Sequence, residues 1–204
     1  FLFSFLPIVL IGFLLLERVK PVFWRQLWLL AASLVFYAWT NTNVLLLFLP
    51  LTAVNYFLGS RLSRSGESSG KWLLVGSVTL NIVVLAYFKY ANFLVENLNY
   101  LGTQWHLEKI LLPLAISFFT FQQIAYLVDS YRGRVLRQNL LDYSLFVTFF
   151  PQLIAGPIVH HAQMMPQFGK NVQRQETQRN LTLGLFIFSL GLFKKVIIAD
   201  QFAL

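Results

Sequence analysis

The sequence contains no cysteine and is poor in charge, with only 12% of its 204 residues Asp, Glu, Lys or Arg. The first absence excludes a disulfide framework, a thiolate metal site and a cysteine nucleophile, and it leaves the redox compartment unread. The second departs far from a soluble domain, in which roughly a quarter of the residues are charged. A glycine-rich phosphate loop is missing as well. Histidine is confined to His106, His160 and His161. The adjacent pair has no further His or carboxylate within the neighbouring helical turns, so no metal site is expected.

What fills the chain is apolar: 57% hydrophobic residues, 21 of them Phe. This composition defines an integral membrane protein. The formal charge of +8 does not point to nucleic acid, because the basic residues sit in short gaps between apolar runs and form no continuous stripe. A positive-inside pattern accounts for them. The expected fold class is therefore all-α, a polytopic transmembrane helical bundle. The chain opens at Phe1 already inside an apolar run and stops a few residues beyond Asp200. It reads as a piece of a longer polypeptide, with 1–204 the N-terminal part of a single multi-pass membrane domain.

Taken in order, residues 1–16 form a first apolar run, followed by Glu17, Arg18, Lys20 and Arg25. No charged segment precedes it and no small-x-small site follows, which favours a membrane helix over a cleaved signal peptide. Spans are expected at 26–39, 44–58, 72–88 and 110–128, with Trp24, Trp28, Tyr37 and Trp39 as interfacial anchors. Residues 61–71 are the clearest break, and 89–109 read as a separate amphipathic segment lying at a membrane face. The stretches 17–25, 61–71 and 129–139 are basic, whereas 40–43 and 89–109 are not. This alternation places the basic loops in the cytoplasm.

Residues 140–165 interrupt the alternation, because the loop after them, with Lys170, Arg174 and Arg179, is again basic. Pro151 and the pair Gly156 and Pro157 cut this run into pieces of about 11 residues, roughly 16 Å, too short for a core of about 30 Å. A re-entrant segment returning to the cytoplasmic side satisfies both facts. Broken backbone at membrane depth is tolerated only inside protein or beside a water-filled cavity, so a cavity is expected here. In the last apolar stretch, 181–200, Lys194 and Lys195 intervene after about 13 residues. Their amines either snorkel to an interface or face a thin membrane or a lumen that admits charge.

Polar residues inside the spans mark the candidate site. At 100° per residue, Gln122, Tyr126 and Asp129 fall on one helical face, with Gln123 and Ser130 beside them. Amides are costly in hydrocarbon, so this face must turn inward, either to bond other helices or to line a substrate path. His160 and His161 sit just past the Gly156-Pro157 break, where an interfacial or structural role is expected of them. Nothing in the chain assembles a complete active site.

Three blocks resemble a known family: LPLAISFFTFQQIAYLVDSYRG (112–133), FVTFFPQLIAGPIVHHAQMMPQF (146–168) and GLFKKVIIAD (191–200). LLAASLVFYAW (29–39) and LAYFKYANF (85–93) agree with them. The sequence is similar to the bacterial branch of the membrane-bound O-acyltransferases (MBOAT), the branch of alginate O-acetylation and teichoic-acid D-alanylation. The resemblance spans almost the whole chain in the same order. It implies transfer of an acyl group, usually acetyl, from a cytoplasmic thioester donor to a hydroxyl of an exported polysaccharide or envelope polymer. It further implies a ring of transmembrane helices around a tunnel, in the bacterial plasma membrane.

The donor would be acetyl-CoA or an acyl carrier protein, acting as substrate, with no resident cofactor. Lipid, a periplasmic or extracellular acyltransferase partner and a polysaccharide acceptor would be the partners, and nucleic acid would not. The family's catalytic histidine lies in a Trp-His-Gly type motif that these 204 residues do not contain, so no catalytic residue is assigned. By the same implication Ser117, Gln122, Tyr126, Asp129, Gln152, Gly156 and Pro157 line the substrate path, and Lys194 and Lys195 attract the donor's negative charge. A transporter or flippase for an envelope precursor is the alternative, which predicts paired broken helices in repeated halves.

Overall fold

The structure, a computed structural model, describes residues 3–19, 21–40, 42–102, 105–106, 108, 110–135, 139–153, 164, 167–168 and 174–202. Its contacts divide it into one unit, Phe1–Gly169, and a second, Lys170–Leu204. Regular structure among the described residues is helical throughout.

The first unit carries α1 (Phe5–Val19), α2 (Val22–Thr40), α3 (Thr42–Leu62), α4 (Glu67–Tyr100), α5 (Ile116–Tyr131), α6 (Leu140–Thr148) and α7 (Phe150–Leu153). Its interior buries amides among apolar core residues, while large apolar side chains cover its outside. Asn55 and Asn81 are fully buried, whereas Phe57 is 63% and Val83 58% exposed. So many large apolar side chains turned outward are stable only where the surroundings are themselves apolar. Segments Val22–Trp39, Val44–Leu62 and Ser69–Tyr100 are each long and apolar enough to cross a membrane.

Three expectations are corrected. The segment expected to lie at the membrane face does not begin a new element at Lys89, because α4 continues unbroken to Tyr100. Its 34 residues extend about 50 Å, so about 20 Å projects past a hydrocarbon core of about 30 Å. Two asparagines on that projection hold the returning chain. Asn92 donates to the Ile110 carbonyl at 2.8 Å and accepts from the Ile110 N–H, and Asn99 makes the same pair of bonds with Trp105. Each primary amide thus pairs like a peptide group, and continued i to i−4 bonding keeps the polar run helical.

The fifth span is also shorter than read. Residues 110–115 are not helical, and α5 starts only at Ile116. Ala115, at the N-cap, has φ 62°, a left-handed conformation that costs an L residue about 1 kcal/mol or more. Replacing Ala115 by glycine is expected to raise the unfolding midpoint of the solubilised protein by about 3 °C, since a glycine carries no Cβ strain there. At its other end α5 runs past Asp129 to Tyr131. It closes with Gly133 at φ 67° and the Arg134 N–H bonded to the Asp129 carbonyl at 2.9 Å, a left-handed C-terminal cap.

The third correction concerns the loop at 61–71, which shrinks to residues 63–66 because α3 and α4 extend into it.

Long-range contacts gather the basic stretches at one end of this unit. Gly70, at the start of α4, lies against the ring of Tyr131 at the end of α5. Gln26, at the start of α2, donates to Asp142 in the first turn of α6 at 2.5 Å. Burial raises the Asp142 carboxyl above its usual range, and the bond from Gln26 offsets part of that rise. Arg25 and Glu17 pair at 3.5 Å where α1 meets α2. From this end α6, capped by the Asn139 side chain, climbs alongside α2 for nine residues and stops.

The Phe150 N–H then donates to Ser33 Oγ, seven residues beyond Gln26 and therefore about 10 Å up α2. The break expected near Pro151 is present at Phe149 and lies at the depth of the bundle interior. Pro151 occupies the first turn of α7, where its missing N–H costs nothing. The continuation with Gly156, Pro157, His160 and His161 lies outside the described residues.

The second unit is one long apolar helix, α8 (Arg174–Phe193), continued by a π-helical stretch Lys194–Ala199 and a last turn Asp200–Phe202. Glu176–Phe202 is long and apolar enough to cross a membrane. The two lysines do not end this helix. The winding widens from Lys194 to Ala199, and the wider turn brings residues five apart towards one face, where Lys195 reaches Asp200 at 2.7 Å.

Candidate functional site

The sequence of α5, ISFFTFQQIAYLVDSY, places its polar residues on the side that packs inward. Gln122, Gln123, Tyr126 and Ser130 are buried to 2% exposure or less. Asp129 and Ser117 are half-buried at the margin of that face. The helical spacing therefore identified the inward face, and the packing around it could not be read from the sequence.

Two aromatic contacts fix the register of α3 against α5. Phe48 stacks flat on Phe119 with ring centroids 4.0 Å apart. Eleven residues further along α3, Gly59 lies so close to the Tyr126 ring that a Cβ there would come within 2.3 Å of it. The two helices hence run in the same direction, as spans two apart must. The Tyr126 ring also packs on Tyr143 of α6 at 4.2 Å, and Tyr56 flanks Tyr143 at 5.7 Å. The result is an aromatic floor of Phe48 and Phe119 and an aromatic ceiling of Tyr56, Tyr126 and Tyr143.

Between floor and ceiling lies a polar layer. It contains Thr52 and Asn55 from α3, Gln122 and Gln123 from α5, and Asn81 reaching in from α4. Asn55 and Asn81 exchange side-chain hydrogen bonds at 3.1 and 2.7 Å, and each also donates to the carbonyl four residues before it. The Tyr143 hydroxyl donates to Gln123 Oε1. Gln152 of α7 is buried as well.

Asn55, Asn81, Thr52 and Tyr143 were not singled out from sequence. A lone amide in the middle of the apolar runs 44–58 and 72–88 was the available signal, since such a group must find a partner. The layer offers amides, hydroxyls and phenols. Such groups orient and hydrogen-bond a polar ligand, but none of them is a base near neutral pH. Of the histidines, His106 is exposed.

Comparison with known proteins converges on one family. A model described as MBOAT, membrane-bound O-acyltransferase family, matches residues 42–203. A protein of Helicobacter pylori named "Peptidoglycan O-acetyltransferase" is 42% identical over all of this chain and 44% of its own length. Proteins of Azotobacter vinelandii and Pseudomonas aeruginosa, both named "Probable alginate O-acetylase AlgI", are each 42% identical over all of this chain and 41% and 39% of theirs. The chain thus spans about two-fifths of the length of these relatives. No solved structure matches it. The apolar exterior, the broken helix α6–α7 and the match over most of its length agree: the chain belongs to the membrane-bound O-acyltransferase family.

Proposed function

We propose that this chain builds the polar-walled part of an O-acyltransferase in the bacterial plasma membrane. That enzyme moves an acyl group, acetyl by the relatives' names, from a thioester donor on the cytoplasmic side to a hydroxyl of an exported polysaccharide or cell-envelope polymer. The observation that carries the reading is the complete burial of the α5 amide face beside a helix broken at membrane depth. A simple anchor has no use for either.

In this reading the chemistry needs a base to deprotonate the acceptor hydroxyl and a path that brings donor and acceptor to it. Ser117 and Asp129, half-buried at the margin of the α5 face, and Gln152, buried in α7, are offered as wall residues. Lys194 and Lys195 are offered as the basic pair that attracts the donor's phosphates or an acidic carrier protein. Lys195 is partly neutralised by Asp200, so Lys194 carries the greater share.

Membrane vesicles holding the full-length protein and given radiolabelled acetyl-CoA test both assignments. Lys194→Gln with Lys195→Gln is expected to raise the KM for the donor about tenfold while leaving kcat within about twofold, the pattern of lost uniform binding. Unchanged donor use retires the lysine assignment. Asp129→Asn is expected to lower kcat at unchanged thermal stability, and Gln152→Leu to lower kcat. Full activity in both removes them from the path.

A further inference from the structure

The polar layer between α3 and α5 contains more hydrogen-bonding capacity than its own residues satisfy. Asn55 and Asn81 use both amide hydrogens on each other and on their own helices, and Gln123 Oε1 is taken by Tyr143. Four atoms remain. Thr52 Oγ1, Gln122 Nε2, Gln122 Oε1 and Gln123 Nε2 are all buried and have no partner among the described residues. Gln122 is 1% exposed and Gln123 fully buried.

The residues that carry these atoms lie at one height in the bundle. Thr52 lies one helical turn past Phe48, and Gln122 and Gln123 lie one turn past Phe119, so the stacked Phe48 and Phe119 pair puts all three residues in one layer. The contact of Gly59 with Tyr126 closes that layer on the other side. An amide or hydroxyl left dry in such surroundings is destabilising, and several together on two packed helices call for a polar partner.

We infer that Thr52, Gln122 and Gln123 form an internal binding site for water, sealed between the Phe48 and Phe119 stack and the Tyr126 and Tyr143 pair. The set of donors and acceptors matches that ligand. Two amide nitrogens donate, the Gln122 carbonyl accepts, and the Thr52 hydroxyl does either. A buried water makes about three such bonds, so one or two waters saturate the four atoms. An ion is excluded, because no charged group in the layer would balance it. The aromatic lids make the site a closed hydration pocket inside the bundle, and the inference does not depend on the acyl-transfer reading.

Radiolytic hydroxyl-radical footprinting of the full-length protein in lipid nanodiscs tests this directly, because a bound water generates radicals beside it. Phe119 and Tyr143 are expected to be oxidised at least fivefold faster than Phe57, which is exposed on the apolar outside of α3. After brief mixing into oxygen-18 water they should incorporate mainly oxygen-16, the mark of slow exchange with bulk. Oxidation no faster than at Phe57 overturns the site, and immediate oxygen-18 labelling replaces the closed pocket by an open channel.

Gln122→Met, close in shape and without hydrogen bonds, gives an independent sign. A hydrated site predicts an unfolding midpoint lower by about 5 °C and at least a fivefold loss of Phe119 oxidation. A midpoint that rises shows that the amide was dry and refutes the inference. Should the variant fail to fold, the footprint of the unmodified protein still decides.

Discussion

Replacing Gly59 by valine is expected to prevent α3 and α5 from packing in their native register. The Tyr126 ring occupies the space in which the new side chain would start, at 2.3 Å from the position of a Cβ. That ring has little room to retreat, since it packs against Tyr143 with centroids 4.2 Å apart and Tyr143 is itself fully buried. Overpacking by even a methylene costs about 1–3 kcal/mol in a filled core. Here three carbons meet an aromatic ring with little room to move, and the loss is expected to reach about 4 kcal/mol or more.

Gly59→Ala is expected to fall in the ordinary range of about 1–3 kcal/mol. Gly59→Val combined with Tyr126→Leu should recover at least half of the loss, because the smaller residue vacates the site. Thermal unfolding of the solubilised protein, followed by loss of monodispersity, orders the three variants. A Gly59→Val protein as stable as the parent would show that Tyr126 does not occupy this position.

The second large effect is expected at Asn55 and Asn81. Asn55→Leu removes one amide and strands the other, so that Asn81 keeps only its bond to the Ser77 carbonyl. A buried polar group left without its partner costs about 1–3 kcal/mol, and interhelical bonds within membranes measure at the lower end of that range. A loss of about 1.5 kcal/mol is therefore expected for Asn55→Leu, and the same for Asn81→Leu. The double leucine variant should lie within about 0.5 kcal/mol of the parent, because both buried polar groups are then gone. The resulting cycle measures a coupling of about 2.5 kcal/mol. Additive losses would mean that the two amides do not bond each other.

Much of the architecture was legible because membrane helices leave a plain sequence trace. Apolar runs located α2, α3 and the final helix, and Pro151 marked the break now found at Phe149. The trace failed where polarity and helicity part company. Asn92, Asn97 and Asn99 lowered the apolar signal after Phe88, yet backbone bonding carried α4 on to Tyr100, and the first of these amides found its partner in a chain segment 18 residues away. In the opposite direction, residues 110–115 are apolar enough to suggest helix, but Pro113 and the left-handed Ala115 hold them out of it.

The candidate site divides in the same way. A period of 3.6 residues fixed which side of α5 carries Gln122, Gln123, Tyr126 and Ser130, and the cost of amides in hydrocarbon required that side to face inward. The sequence alone therefore determined a membrane protein with a buried polar face. Only the tertiary structure decided that Gln123 meets Tyr143, that Asn55 meets Asn81, and that aromatic rings close the layer above and below. The reason is physical: periodicity is a local property of one helix, whereas a partner and a depth are set by packing between residues 20 or more positions apart.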